Sequence, residues 1–277
     1  MTTRDSVLSR ILSFLVPERR KQKAVYAERV NVRVYPRTNE NRALEVRYTQ
    51  TRQTVADQRE LLDNKVITWD KSHPVTGRME ILRTQIMRKM EANDWRTLAI
   101  ISPTPGAGKS FVATNLAISL AQNPNKSVML VDLDLRRPQI ALKLGLPEGK
   151  SLLDYLAGTA QLADVLVNPG VPRLVVAPVF GAVANSSELL SSRQITKMIQ
   201  EMRDRYESRV VIFDLPPLLL ADDALVVLPH VDCALLVLGD GEHSSAEIEE
   251  SLRLLRDVNL VGMVINRSKA FEKLEGY

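Results

Sequence analysis

The sequence has one cysteine, few aromatic residues and no long apolar run. Cys233 is the only cysteine among 277 residues, which excludes an internal disulfide and favours a reducing compartment. The three histidines are scattered without the spacing of metal ligands, so we expect no histidine-based metal centre. No apolar run approaches the roughly 20 residues that span a bilayer, so no membrane-spanning helix is predicted.

The positive charge of the chain belongs to its N-terminal part. Residues 1–73 hold 15 Lys and Arg against 9 Asp and Glu, a balance of +6, whereas the remainder holds 22 against 24, a balance of −2. Nucleic-acid binding requires a dense basic face that neutralises phosphates. We therefore expect no nucleic-acid partner.

The first 72 residues are predicted to form an arm that precedes the folded domain. Residues 5–17 carry apolar side chains at helical spacing and end at Pro17, before the basic run "RRKQK". Such an amphipathic helix either makes a peripheral contact with a membrane or a partner, or packs on its own core. Residues 18–72 are polar and poorly periodic, which indicates a linker or loosely attached arm. The predicted units are thus 1–72 and 73–277, the second with a short C-terminal tail.

Beyond residue 97, apolar runs alternate with helix-like segments. The runs are continuously apolar, as strands covered on both faces are: "TLAIIS", "SVMLVDLD", "RLVVAPV", "RVVIFDL", "CALLVLGD" and "LVGMVINR". This alternation predicts an α/β fold, with a mostly parallel sheet flanked by helices on both faces and a helical or loosely ordered N-terminal arm. Ligands bind such sheets beyond the carboxyl ends of the strands.

The string "SPTPGAGKS" lies at the end of the first of these runs and opens a helix-like stretch. Gly106 and Gly108 allow the backbone to approach an anion, and successive N–H groups can form a nest around it. Lys109 supplies a cation to the β- and γ-phosphates, and Ser110 can ligate magnesium. The pattern G-x-x-x-x-G-K-[ST] would have glycine where this chain has Pro103. The predicted nucleotide-binding residues of the loop are Pro105, Gly106, Ala107, Gly108, Lys109, Ser110 and Phe111.

Acidic residues end two further predicted strands. "VMLVDLDLRRP" places Asp132 and Asp134 on one face of an extended segment, and "VVIFDLPP" places Asp214 at another strand end. Close carboxylates are costly unless a metal or a transferred proton uses them. Asp214 has the form of a Walker B carboxylate, which holds magnesium directly or through water. Together with the loop, these residues predict an ATP–Mg²⁺ site in which Ser110, Asp132 and Asp214 hold the metal.

The motifs "PGAGKS", "VMLVDLDLRRP" and "VVIFDLPP" resemble, in order and spacing, the Walker A, Walker A′ and Walker B motifs of the bacterial tyrosine kinases (BY-kinases). The BY-kinases are relatives of the MinD/ParA branch of P-loop ATPases. Their own loops typically have proline before Gly-x-Gly-Lys and lack the first glycine, so Pro103 agrees with the resemblance. "NSSELLSSRQ" is similar to an Asn-Pro-Ser-Glu-Leu segment of the family, with Ser186 in place of proline. "MVINR" resembles the strand whose asparagine contacts adenine, which would be Asn266, with Arg267 beside it. The similarity covers about residues 74–268.

The resemblance is to the cytoplasmic CpsD/CapB-like proteins of capsule and exopolysaccharide operons. It implies an ATP-dependent protein-tyrosine kinase that uses ATP and Mg²⁺ and regulates polysaccharide polymerisation or export. It also implies a membrane polysaccharide co-polymerase (Wzz-like) as partner, a homo-oligomer, and a cytoplasmic location at the inner face of the membrane. The implied catalytic residues are Lys109, Asp132 and Asp134. Asp132 is the leading candidate for the base, and Asp134 either orients the water molecules around the metal or shares that role. Arg136 either orients the acidic pair, reaches phosphate or lies at the surface.

Two features depart from the family pattern. The chain ends "FEKLEGY", so Tyr277 stands alone where the family has a tyrosine cluster, and it is the phosphoacceptor candidate. Of the family's Glu-x-x-Arg-x-x-Arg positions, which fall on Gly77, Glu80 and Arg83, only Arg83 matches. Two alternatives stay open: a nucleotide-switch ATPase that binds the membrane co-polymerase without tyrosine transfer, and a MinD/ParA-like positioning ATPase.

Overall fold

The computed structural model describes residues 51–55 and 57–268. Within these residues the strands are β1 (Arg52–Gln53), β2 (Thr97–Ile101), β3 (Ser127–Asp132), β4 (Val167–Asn168), β5 (Leu174–Ala177), β6 (Arg209–Asp214), β7 (Cys233–Gly239) and β8 (Leu260–Asn266). The helices are α1 (Gln58–Asp63), α2 (Pro74–Ala92), α3 (Lys109–Ala121), α4 (Ile140–Lys143), α5 (Leu152–Leu156), α6 (Leu162–Val165), α7 (Ser186–Leu190), α8 (Arg193–Asp204), α9 (Asp223–Val227) and α10 (Ser245–Leu254). The amphipathic helix predicted at residues 5–17 and the candidate Tyr277 lie outside the described residues.

The strands form one sheet in the order β1-β4-β5-β3-β6-β2-β7-β8. Neighbouring strands are parallel except for β4 and β5, which are antiparallel. All six predicted apolar runs form strands. The two remaining strands, β1 and β4, have two residues each and are too short to show a periodic signal.

Helices cover both faces of this sheet, as predicted. Alternate residues of β2 point to opposite faces: Leu98 and Ile100 join a cluster with apolar residues of α2 and α3, whereas Ala99 and Ile101 join a cluster with residues of α8. Every residue of β2 is buried, which explains why its sequence shows no alternation of polarity. The predicted α/β fold is confirmed.

The strand order brings three carboxyl ends together at the middle of the sheet. β6 lies between β3 and β2. In register, Asp214 of β6 pairs with Asp132 of β3 on one side and with Ile100 of β2 on the other. The loop "SPTPGAGKS" follows β2 directly, so the glycine-rich loop and the acidic strand ends meet at one edge.

The helix predicted before β2 is α2. Its apolar stripe places Met79, Ile86 and Met90 in the core, and Pro74 occupies the first turn, where its missing N–H has no cost. Arg83, the one residue that matched the family's arginine pattern, donates from Nη1 to the carbonyl of Ser119 at 3.0 Å. That hydrogen bond ties α2 to α3 within the same chain.

Residues 57–68 differ from the expected linker, because they pack on the core. Leu61 and Val66 are buried in the same cluster as α3, and the backbone around residue 67 is hydrogen-bonded to a buried side chain of α3. The sequence did not predict this packing, because the apolar residues of this segment are too few to show a helical or strand period. The side chain that binds its backbone, Asn115, lies about 50 residues further along the chain. All described residues belong to one compact unit, which spans Ala43–Tyr277. Across residues 51–55 and 57–268, no helix combines the length and apolarity needed to cross a membrane.

Candidate functional site

The glycine-rich loop is built to hold an anion. Gly106 and Gly108 have φ values of +94° and +91°, a conformation that residues with a Cβ rarely adopt. Gly108 is the N-cap of α3, so the loop leads directly into the free N–H groups of a 13-residue helix. A Cβ on Gly108 would also collide with Nδ2 of Asn266. The loop therefore needs glycine both for its backbone conformation and for the close approach of β8.

Lys109 is held at the base of this loop. Lys109 is 7% exposed, and its Nζ lies 3.8 Å from Oδ2 of Asp134. Burial raises the pKa of Asp134, and the positive charge of Lys109 offsets only part of that effect. The N–H of Arg137 donates to the other carboxylate oxygen at 3.1 Å. Lys109 and Asp134 thus place a cation next to a carboxylate whose pKa is raised.

Asp214 is a buried carboxylate whose oxygens are both free. Neither oxygen accepts a hydrogen bond from any residue in the described part of the chain. Burial raises the pKa of Asp214 to about 6, although Lys109 and Ser110 both act to lower it. Ser110 lies near the carboxylate without a hydrogen bond of normal geometry to it. A buried, unpaired carboxylate beside a serine hydroxyl fits a bound divalent cation.

Asp132 has the opposite surroundings, although it is equally buried. Its Oδ2 accepts from the N–H groups of Gln139 and Ile140, both at 3.0 Å, and its Oδ1 accepts from the N–H of Asp134 at 3.2 Å. Burial and the charge of Asp214 raise its pKa well above the ordinary value, while the backbone hydrogen bonds oppose this. Asp132 thus fixes the loop that runs from Asp134 to the start of α4.

A cavity of about 720 Å³ opens above these groups. Its walls come from the glycine-rich loop, the segment after β3, the prolines after β6 and the end of β8. Its cationic lining residues are Lys65, Lys109, Arg136, Arg137, Lys143 and Arg267. A concave surface with this much positive charge attracts a polyanion such as a triphosphate.

Three of these cations were not singled out in the sequence. Arg137 lies within the string "DLDLRRP", so its place next to Arg136 could have indicated that it lines the site. Lys65 and Lys143 gave none, because they lie in separate stretches of the chain and only the tertiary fold brings them to the cavity.

Arg136 is hydrogen-bonded to a buried acid outside the predicted set. Its Nε donates to both oxygens of Asp223, at 3.2 and 3.1 Å, and its Nη2 donates to Oδ1 at 3.0 Å. The Ser186 hydroxyl also donates to Asp223. Burial raises the pKa of Asp223, but these hydrogen bonds outweigh burial and the net pKa is lowered. Ser186, which stands where the resemblance expects proline, therefore supplies a donor to a buried carboxylate.

Asn266 lies at the end of β8 and contacts the loop directly. Its Nδ2 donates to the carbonyl of Ala107 at 2.9 Å, and its Oδ1 accepts from the N–H of Arg267 at 3.0 Å. Arg267 has a φ of +60° and forms an ion pair with Glu242. This end of the sheet thus stabilises the loop as well as lining the cavity.

The structure places the predicted site residues in two groups. Those that line the cavity are Pro105, Gly106, Gly108, Lys109, Ser110, Phe111, Asp134, Asn266 and Arg267. Those that do not are Ala107, Asp132 and Asp214, each of which is buried. The structure does not bring the Asp132 carboxylate to the cavity wall.

Comparison with known proteins agrees with this geometry. The family model "CobQ/CobB/MinD/ParA nucleotide binding domain" matches residues 98–275. Tyrosine-protein kinase Etk of Escherichia coli K12 is 33% identical over 187 residues, which are 67% of this chain and 25% of that protein. Tyrosine-protein kinase CpsD of Streptococcus agalactiae is 29% identical over 211 residues, which are 75% of this chain and 89% of that protein.

Among solved structures, the kinase domain of Escherichia coli tyrosine kinase Etk matches with a TM-score of 0.67 and 30% identity, covering 74% of this chain and 82% of that domain. The chain spans about a quarter of the length of several curated relatives that it matches. The resemblance to the bacterial tyrosine kinases is confirmed. The chain therefore belongs to the CobQ/CobB/MinD/ParA nucleotide-binding domain family, within which its relatives are tyrosine-protein kinases.

Proposed function

We propose that this chain is an ATP-dependent protein-tyrosine kinase that acts on its own kind and regulates exopolysaccharide or capsule polymerisation or export. The observation that carries the proposal is the cationic cavity over the glycine-rich loop, with Lys109 and Ser110 at the start of α3 and Asp214 at the end of β6. The similarity to tyrosine-protein kinases supports the choice of acceptor.

The loop residues and the cavity cations would bind the triphosphate of ATP. The N–H groups from Gly106 to Ser110 would surround the phosphates, and Lys109 would reach the β- and γ-phosphates. Asn266 and Arg267 would lie beside the nucleotide at the end of β8.

The Ser110 hydroxyl and the Asp214 carboxylate would hold Mg²⁺. When bound, Mg²⁺ would neutralise negative charge on the phosphate oxygens during transfer. The oxygens of Asp214 support this assignment, because they are buried and accept no hydrogen bond from the part of the chain that the structure describes. Asp132 was predicted as a further ligand, but three backbone N–H groups already occupy its oxygens, which favours a positioning role.

Transfer to tyrosine requires a base, because a tyrosine hydroxyl has a pKa of about 10. The phenol oxygen would form a bond to the γ-phosphorus as the bond from that phosphorus to the β,γ-bridging oxygen breaks, and ADP would leave. The phenol proton would pass to a carboxylate. Of the two candidates, Asp134 is the better placed, because it lines the cavity and burial raises its pKa.

The partner and the location are also proposals. A Wzz-like membrane polysaccharide co-polymerase, a homo-oligomer and a place at the cytoplasmic face of the membrane follow from the resemblance. Residues 5–17 would provide a peripheral membrane contact there. Co-purification of the chain with a co-polymerase from membranes tests the partner, and removal of residues 1–17 tests the contact.

Phosphopeptide mapping after incubation with ATP and Mg²⁺ tests the acceptor. We expect phosphotyrosine at Tyr277 in the wild type and its loss in Tyr277→Phe. Phosphotyrosine confined to Tyr26, Tyr35 or Tyr48 would contradict the assignment of Tyr277 and leave the kinase activity standing.

A further inference from the structure

Lys65 occupies a backbone position where glycine is usual. Helix α1 ends in a Schellman motif: the N–H of Val66 donates to the carbonyl of Leu61 at 2.7 Å, and the N–H of Lys65 donates to that of Leu62 at 2.9 Å. Lys65 is the first residue beyond the C-cap of the helix, and its φ is +62°. A left-handed conformation costs a residue with a side chain roughly 1 kcal/mol. Glycine would adopt this conformation at lower cost, so backbone stability does not explain the lysine at this position.

A buried asparagine of α3 fixes the backbone around this lysine. Oδ1 of Asn115 accepts from the N–H groups of Ile67 and Thr68, at 2.8 and 3.0 Å. Its Nδ2 donates to the carbonyl of Lys65 at 3.0 Å and to that of Phe111 at 2.9 Å. Asn115 is 0% exposed; its bonds to Ile67 and Thr68 are buried, and those to the carbonyls of Lys65 and Phe111 are partly buried. The same side chain thus joins Lys65 to the first turn of the helix that follows the glycine-rich loop.

The Lys65 side chain reaches the cavity from outside the family's own residues. Lys65 lines the cavity together with Lys109, Ser110 and Lys143, although the family match begins at residue 98. Within residues 51–55 and 57–268, neither Lys65 nor Lys143 forms an ion pair with an acidic side chain. Burial lowers the pKa of Lys143; the nearby charge of Asp214 raises it, and the charge of Lys65 lowers it. The two lysines therefore repel each other, and an anion bound beside them in the cavity would relieve that repulsion.

We propose that Lys65 contacts the phosphate chain of the bound nucleotide, and that the Asn115 hydrogen bonds make residues 57–68 part of the nucleotide site. The inference rests on the proposed use of this cavity for a nucleoside triphosphate. It also predicts reciprocal coupling: nucleotide bound to Lys65 stabilises the Asn115 contacts, and loss of those contacts weakens nucleotide binding.

Calorimetric titration of the full chain with ADP and with a non-hydrolysable ATP analogue, each with Mg²⁺, tests the contact. The informative variant is Lys65→Asn, because asparagine tolerates a positive φ and carries no charge. Lys71→Gln is the matched control, since Lys71 is exposed and does not line the cavity. We expect Lys65→Asn to weaken binding of the analogue roughly three- to tenfold, and Lys71→Gln to bind like the wild type.

Hydrogen exchange provides a readout that does not depend on activity. We expect nucleotide to slow exchange of the Ile67 and Thr68 amides in the wild type, and this slowing to be lost in Lys65→Asn. The melting temperature without nucleotide should be unchanged or higher in Lys65→Gly, because glycine relieves the left-handed strain. A general folding defect would instead lower it.

Three results are distinguishable. Weaker binding by Lys65→Asn but not by Lys71→Gln supports the inference. Wild-type affinity in Lys65→Asn, together with weak binding by Lys109→Met, overturns the inference and leaves the proposed function standing. Wild-type affinity in both Lys65→Asn and Lys109→Met would show that the nucleotide does not bind in this cavity, and both proposals would fall.

Discussion

Asp132 and Asp214 are register partners at the ends of β3 and β6, yet within residues 51–55 and 57–268 only the Asp132 carboxylate accepts hydrogen bonds. Asp132 accepts three backbone N–H groups, whereas neither oxygen of Asp214 has a hydrogen-bond partner among the described residues. Both residues are fully buried. The chain therefore uses one carboxylate to hold its own loop and leaves the other available to a bound cation.

The pH dependence of stability should show the cost of the unpaired carboxylate. The pKa of Asp214 is about 6 in the folded chain against an ordinary value of 3.8. Between these values the folded chain holds a proton that the unfolded chain has released, so stability falls as pH rises through this window. The burial of Asp132, whose pKa is also raised, acts in the same direction.

Asp214→Asn should remove much of this slope. We expect the variant to be roughly 2 to 3 kcal/mol more stable than the wild type at pH 7 without nucleotide, and nearly equal below pH 4. Urea unfolding at a series of pH values measures the difference. Asp257→Asn, which changes an exposed carboxylate, should follow the wild type. An unchanged slope in Asp214→Asn would mean that this carboxylate has a partner in solution.

The two acids of the "DLD" motif should separate into a loop-holding role and a chemical role. Asp134→Asn is expected to lower turnover at saturating ATP and Mg²⁺ at least tenfold while changing nucleotide affinity much less, because it removes the carboxylate that lines the cavity. Asp132→Asn is expected to speed hydrogen exchange at the amides of Gln139 and Ile140, because an amide side chain offers only one acceptor oxygen. Full turnover in Asp134→Asn would return the role of base to Asp132.

Arg136 should matter for stability through Asp223. Arg136→Gln removes the main donors to a buried carboxylate, and we expect a loss of roughly 1 to 3 kcal/mol. Its side chain is 37% exposed, so solvent screens part of the pair. Thermal unfolding of Arg136→Gln against Arg137→Gln measures the difference, since Arg137 is exposed and its side chain forms no ion pair within residues 51–55 and 57–268. A double variant that adds Asp223→Asn should recover stability, and equal melting temperatures for the two single variants would refute the assignment.

The sequence predicted what depends on local patterns. Continuous apolar runs predicted all the long strands, because strands covered on both faces are uniformly apolar. The spacing of Gly106, Gly108, Lys109 and Ser110 between a strand and a helix predicted the loop, because this pattern is typical of phosphate-binding loops. Asp214 could be predicted because it follows an apolar run directly.

The rest of the site depends on contacts between distant parts of the chain. Lys65 reaches the cavity because Asn115, 50 residues further on, holds its backbone, and nothing in either local sequence signals the other. Asp132 and Asp134 look equivalent in the sequence. Only the fold of the following loop shows that backbone N–H groups surround Asp132 and leave Asp134 at the cavity.

The fate of the γ-phosphate tests the central claim most directly. The full chain is incubated with γ-labelled ATP and Mg²⁺, and phosphotyrosine and free phosphate are measured in the same sample, with Lys109→Met as the control. We predict labelled phosphotyrosine in the wild type and none in Lys109→Met, which lacks the cation that reaches the phosphates. Free phosphate released by the wild type without any phosphotyrosine would contradict the account and identify the chain as a nucleotide-switch ATPase instead.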